Sequence, residues 1–196
     1  MTKLERGSAA DAGFRKAFAE VPRAVREAPY ETFLPLSEHW VKHLEVAGPD
    51  AAFWIAHRGE APAGRIGASL SPTRPGVGYV GYFEADRGGD PGVSKDLLDA
   101  ALGWLRERGV TKAYGPIDRS TWYSYRFRVA PHPEDSFPAV EEPFAWEPWQ
   151  PPGYVGAFAA ASFVEVERYH SHGYRGVEGM RLTDATELIR PMADVA

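Results

Sequence analysis

The spacing of apolar residues changes several times along this chain, and each change predicts an element. Over residues 9–26, Phe14, Ala17, Phe18, Val21 and Val25 recur at helical intervals, with Pro22 set to end or kink the helix. Residues 2–6 fit a short strand ahead of it. Residues 37–46 repeat the helical spacing, with Ser37 as N-cap and Gly48-Pro49 as the stop. Residues 52–57 and 63–70 are β-compatible and read as a hairpin, followed by an aromatic, glycine-bearing strand over 77–84. Over residues 93–108, Leu97, Leu98, Ala101, Leu102, Trp104 and Leu105 line one side of a helix that stops at Gly109, and residues 110–117 resemble a buried strand. Strand, helix and strand at this length form a crossover, so 77–84 and 110–117 should run parallel.

The last third is patterned differently. Residues 121–152 hold TWYSYRFRV, a Pro-rich polar stretch and PFAWEPWQPP, too aromatic for a linker. We read them as an ordered loop layer packed over the sheet. A short helix at 154–161, a hairpin of 163–172 with 177–182, and a helical tail at 184–192 complete the reading.

Composition narrows the field. The 196 residues, 44% hydrophobic and 25% charged, suit one domain with a small appendage, and the predicted boundaries are 1–182 and a tail at 183–196. The net charge of -5 with scattered Lys and Arg offers nucleic acid no basic stripe. With no cysteine, thiolate chemistry and disulfides are excluded. The N-terminal residues carry no apolar signal region, and no run reaches the ~18 apolar residues of a membrane span. The expectation is a cytoplasmic protein with no membrane partner.

The stretch GGDPGVSKDLL, residues 88–98, raises the chemical question. A helix N-terminus offers unpaired N–H groups and partial positive charge, and small residues let an anion approach. Gly92, Val93, Ser94 and Lys95 would be the donors, while Asp90 works against an anion. The alternative is an ordinary helix start, with Pro91 in the first turn and Gly88-Gly89 as a turn.

The element order β, α, α, β, β, β, α, β, α, β, β resembles the GNAT acyl-CoA N-acyltransferase superfamily over nearly the whole chain. Members carry a pyrophosphate loop, R/Q-x-x-G-x-G/A, between the fourth strand and its helix. Residues 89–94 hold that register, with Gly89 in place of Arg or Gln and Ser94 in place of Gly or Ala. GPIDRSTWYSYRF, PFAWEPWQPPGY and ASFVEVERYHS further resemble a bacterial GNAT-like subgroup, with Ser162 replacing the usual Gly before Phe163. The resemblance implies an α/β (α+β) fold with a mixed sheet of six to seven strands and flanking helices. It also implies acetyl-CoA lying along Tyr82 and Phe83, its diphosphate at residues 92–95.

Acyl transfer to an amine needs a proton acceptor and a donor for the leaving thiolate. The resemblance points to Glu84 as acceptor, whose other reading is a solvated strand-end carboxylate. The donor's usual Tyr position holds Phe158, so Tyr154, one turn earlier, is the substitute only if the helix is rotated or shifted; otherwise it packs. Trp122, Tyr123, Tyr125, Trp146 and Trp149, interleaved with Glu141, Glu142 and Glu147, suit a cationic amine or simply give the loop a core. An Arg126–Glu147 pair would join the halves of this layer. His39 with His43, and His170 with His172, lack a third ligand, so no metal is expected. Two functions stay open: an acetyl-CoA-dependent N-acetyltransferase on a small-molecule or peptide amine, and an inactive GNAT-like binding module. The tail leaves a homodimer open.

Overall fold

The computed structural model describes residues 2–27, 30, 44, 48–85, 91–121, 123–129, 147–151 and 153–169. The chain divides into two compact units, Met1–Val164 and Glu165–Ala196. In the first, strands β1 (Thr2–Gly7), β2 (Ala51–Arg58), β3 (Ala61–Leu70), β4 (Val77–Ala85) and β5 (Lys112–Tyr114) form one sheet in that spatial order. The first three pairings are antiparallel and β4 with β5 is parallel, as the crossover required. Helices α1 (Ala12–Val25), α2 (Pro91–Arg106) and α3 (Gly153–Ala160) complete the described elements. This is the mixed α/β architecture expected. The helix expected at 37–46 lies outside the described residues apart from Leu44, which is helical and buried.

The period-two alternation of β2 and β3 sorts the core onto two faces. Trp54, Ile66, Val80, Leu97, Leu98, Ala101, Trp104 and Leu105 fill one, beneath α2. Phe14, Phe18, Val21, Val25, Phe53, Ile55 and Tyr82 fill the other, with α1. Asp11 caps α1, its carboxylate accepting the Phe14 N–H at 3.0 Å.

Pro22 was expected to end or kink α1, yet the helix continues to Val25. A proline has no N–H for the carbonyl four residues back, here Phe18 O. That oxygen instead accepts Arg65 Nη1 from β3 at 2.9 Å, and the Arg65 guanidinium lies 4.8 Å from the Phe18 ring centre. Tertiary contact thus replaces the missing helix bond.

One irregularity in β4 positions everything that follows. Gly81 pairs with Gly67 and Glu84 with Arg65, so Tyr82 and Phe83 together face Ile66 alone. Tyr82 takes the extra residue of this bulge at a φ of 54°. Its ring enters the α1 face, while Phe83 packs on the opposite face.

Two expectations need correction. The strand predicted over 110–117 is only Lys112–Tyr114, because Pro116 carries no N–H to extend the ladder. Residues 163–169, predicted to open a hairpin, are not a strand, so the sheet has five described strands rather than six or seven. Alternation marks one-sided burial, but a strand also needs a partner edge. Here Val164 and Val166 are exposed, and within the second unit Arg168 pairs with Glu165 at 2.8 Å. The partner segment, 177–182, lies outside the described residues, as does the tail.

Two glycines give opposite expectations. A Cβ on Gly81 would lie 2.2 Å from the backbone oxygen of Ile117, which cannot yield, whereas one on Gly103 in α2 meets nothing within 4 Å. Gly81→Ala should lower stability by about 3 kcal/mol, and Gly103→Ala should raise it by about 1 kcal/mol, both read from urea denaturation midpoints.

Candidate functional site

Glu84 lies near the end of β4, and only 3% of it is exposed. A carboxylate so buried needs partners, and two elements supply them. Arg26, immediately after α1, donates from Nε and Nη2 to Glu84 Oε2 and Oε1 at 2.8 and 2.7 Å. Its remaining Nη1 donates to Trp149 O at 2.5 Å. Tyr154, from the first turn of α3, places its hydroxyl 2.9 Å from Glu84 Oε2 and 3.1 Å from Ala85 O, and accepts the Ala85 N–H at 3.1 Å. The hydroxyl's one proton serves Glu84 or the Ala85 carbonyl.

Two further charges border this group. Arg65, opposite Glu84 on β3, is wholly buried. Burial drags its guanidinium down to about 10, against the pull of Glu84 and Asp118. Asp118, in the loop after β5, accepts the N–H of the bulged Tyr82 at 2.5 Å. Its burial raises its carboxyl to about 7, although the Tyr82 hydrogen bond and Arg65 act the other way. Burial, then the charge of Glu84, pushes the Tyr154 hydroxyl well above the usual phenol range, so it keeps its proton at neutral pH. For Arg26, burial is the largest influence and acts downward, but Glu84's charge and hydrogen bonds outweigh it and the guanidinium ends higher than usual.

The predicted residues therefore divide. Glu84 and Tyr154 meet within hydrogen-bond distance, with Tyr154 in the first turn of α3. Phe158 instead joins an aromatic cluster, its ring centre 5.3 Å from Phe83 and 4.9 Å from both Phe127 and Phe163. Val93 is buried beneath α2 and has only its backbone to offer; Ser94 is half-buried. Lys95 is exposed and pairs with Asp99 at 2.5 Å. Gly92 lies in the same first turn of α2. Asp90 and Trp122 fall outside the described residues, as do Glu141, Glu142, Trp146 and all four histidines considered for metal binding.

The aromatic layer is held as the Arg126–Glu147 pairing requires. Arg126 Nη2 donates to Glu147 Oε1 at 2.9 Å and Nη1 donates to the neighbouring Tyr125 hydroxyl. Gln150 Nε2 donates to Arg128 O at 2.8 Å, and Arg128 lies over Trp149, which also touches Tyr30. Through the Trp149 carbonyl this layer reaches the Glu84 cluster.

Arg26, Arg65 and Asp118 escaped the sequence reading. A signal existed for Arg65: one cation inside the apolar run AGRIGASL must be paired if the strand is buried. Arg26 and Asp118 gave none, since an arginine after a helix and an aspartate in a loop are ordinarily solvated.

No family model matches the sequence, and no curated protein matches it. The fold is that of the GNAT acetyltransferases. The structure is similar to AAC(6')-Iy in complex with the bisubstrate analog CoA-S-monomethyl-acetylneamine, with a TM-score of 0.51, 16% identity, and coverage of 90% of this chain and 99% of that one. It is similar also to a predicted acetyltransferase from Clostridium acetobutylicum solved with acetyl-CoA, at a TM-score of 0.50, 9% identity, and 88% and 96% coverage. A GNAT-family acetyltransferase from Staphylococcus aureus gives 0.47 at 15% identity, over 61% of this chain and 75% of that one. Among the described residues, no helix is long and apolar enough to cross a membrane.

Asp118 yields a pH expectation. Its carboxyl titrates near 7 when folded against an ordinary 3.8, so between those values the native state binds more protons than the unfolded one, and stability falls as pH rises across that window. Asp118→Asn keeps an oxygen for the Tyr82 N–H but does not titrate. Its Tm should fall less than that of wild type from pH 5 to pH 7 by about the expected slope, with parallel curves above the upper value.

Proposed function

We propose that this chain is an acetyl-CoA-dependent N-acetyltransferase acting on a small-molecule amine. The observation that carries the reading is the Tyr154 hydroxyl set on the Glu84 carboxylate at the end of β4, in a GNAT fold and at the strand that leads to the crossover helix. Two similar structures hold acetyl-CoA and a CoA–amine bisubstrate analog, which supports both the cofactor and the acceptor class.

Acetyl-CoA would supply an activated thioester carbonyl. Its diphosphate would lie against the first turn of α2, where Gly92 carries no Cβ and the amides of Val93, Ser94 and Lys95 follow. Its acyl arm would run beside Tyr82 and Phe83. There the fit requires an exchange, because the Tyr82 N–H already serves Asp118 and the Ala85 N–H serves Tyr154.

Tyr154 is the proposed proton donor to a thiolate leaving group, since burial and Glu84 keep it protonated. Glu84, with both oxygens held by Arg26, is better placed to orient Tyr154 than to take a proton from an ammonium group. Tyr125, Glu147 and Trp149, with Trp122, remain the proposed amine-binding wall; the carbonyl of Trp149 brings that wall to Arg26. The proposed catalytic domain spans residues 1–182.

A second reading, a GNAT-like module that binds without acyl transfer, is favoured by the same two occupied amides. Thermal shift separates them. Acetyl-CoA at about 1 mM should raise Tm in the wild type, following RT ln(1 + [L]/Kd), and Tyr154→Phe should keep that shift while losing about a hundredfold in kcat. Absence of any shift with acetyl-CoA or CoA would remove the transferase reading; a shift with turnover equal in both proteins would remove Tyr154 from it.

A further inference from the structure

Apart from the Glu84 cluster, the start of β2, the end of β3 and the loop after β5 enclose a cavity of about 340 Å³. Neither Arg26, Glu84 nor Tyr154 lines it. Its volume lies in the range of small-molecule sites, roughly 300–1,000 Å³. Asp50, Ser69, Leu70, Arg119, Ser120 and Tyr123 form part of the wall.

Arg119 is the residue that needs accounting for. Its backbone is left-handed, with φ at 67°, a conformation disfavoured for any residue with a Cβ. Three hydrogen bonds hold it there: Arg119 N–H to Ile117 O at 2.9 Å, Ser120 N–H to Asp118 O at 2.8 Å, and Asp118 N–H to Ser124 O at 2.7 Å. The nearest carboxylate in sequence, Asp118, is directed instead to the Tyr82 N–H. Arg119 Nη1 is buried and has no hydrogen-bond partner. Arg119 is among the residues that line the cavity, and a loop that strains its backbone to hold a guanidinium with an unpartnered N–H there presents a site for an anionic oxygen.

The rest of the wall narrows the ligand. Asp50, exposed on the same cavity, would repel a doubly charged phosphate but would welcome an ammonium group. Ser69, only 7% exposed, adds a hydroxyl, and Leu70 adds an apolar surface. Opposite charges on one small cavity match a zwitterion. We propose that this cavity binds a small amino carboxylate, its carboxylate on the Arg119 guanidinium and its ammonium towards Asp50. The binding holds whether or not the chain transfers acetyl groups.

The test is calorimetric titration of the full chain, without CoA, using the common L-amino acids, then the methyl ester and N-acetyl derivative of any that bind, and inorganic phosphate. At least one free amino acid should bind, with its ester and its N-acetyl form each about tenfold weaker or worse. Arg119→Gly relieves the left-handed backbone, so it should keep or raise Tm while losing about tenfold or more in affinity, a divergence that a purely structural arginine would not produce. Asp50→Asn, on the exposed rim, should weaken the free amino acid but not the N-acetyl form. The proposal is overturned if no amino acid binds at about 10 mM, if ester and acid bind alike, if phosphate binds more tightly than every amino acid, or if Asp50→Asn changes nothing. Should Arg119→Gly fail to fold, the ester comparison and Asp50→Asn still decide.

Discussion

Glu84 is a carboxylate with almost no access to water, and the surrounding structure is arranged to make that tolerable. Leaving such a charge unpaired costs several kcal/mol, and removing one partner of a buried ion pair typically costs about 3–5 kcal/mol. Both oxygens are met by the planar fork of Arg26, a geometry lysine could not reproduce. That pairing fixes where α1 must end, because Arg26 is the first residue beyond it. The same guanidinium holds the Trp149 carbonyl, and the same carboxylate holds Tyr154. One buried charge therefore registers a helix, a strand, a loop and a second helix against one another.

The bulge in β4 works with this constraint. By inserting Tyr82 it turns an N–H away from β3 and towards Asp118, and it shifts the pairing by one residue, so that Glu84 faces Arg65 where an unbroken ladder would set Phe83. Asp118 in turn closes the turn that presents Arg119. The chemistry at the end of β4 and the cavity beside the β5 loop are thus consequences of one local departure from strand geometry, transmitted through hydrogen bonds rather than through flexible side chains.

Pro22 shows the same logic within a helix. Locally it should break α1, and Pro22 has no N–H to give the Phe18 carbonyl four residues back. Arg65 supplies one from a strand 47 residues away in sequence. The buried arginine and the internal proline explain each other, although neither is interpretable alone.

What the sequence determined by itself was the set of elements whose periodicity is strong and local: the core faces of α1 and α2, the β2–β3 hairpin, the glycine-bearing β4 and the parallel crossover. Those follow from side chains repeating every two or every three to four positions, which neighbours in the chain suffice to define. Glu84 and Tyr154 were named only through the family resemblance, which points to a carboxylate near the end of the fourth strand and a tyrosine on the last helix; taken alone, each reads equally as a solvated or a packing residue. Only the tertiary structure decided that these two touch, that Arg26 neutralises one of them, and that Asp118 and Tyr154 occupy the amides of β4. It alone decided that residues 163–169 form no strand. Each of these depends on groups far apart in the chain meeting within hydrogen-bond distance, or failing to find an edge to pair with, and no spacing along one strand or helix records that.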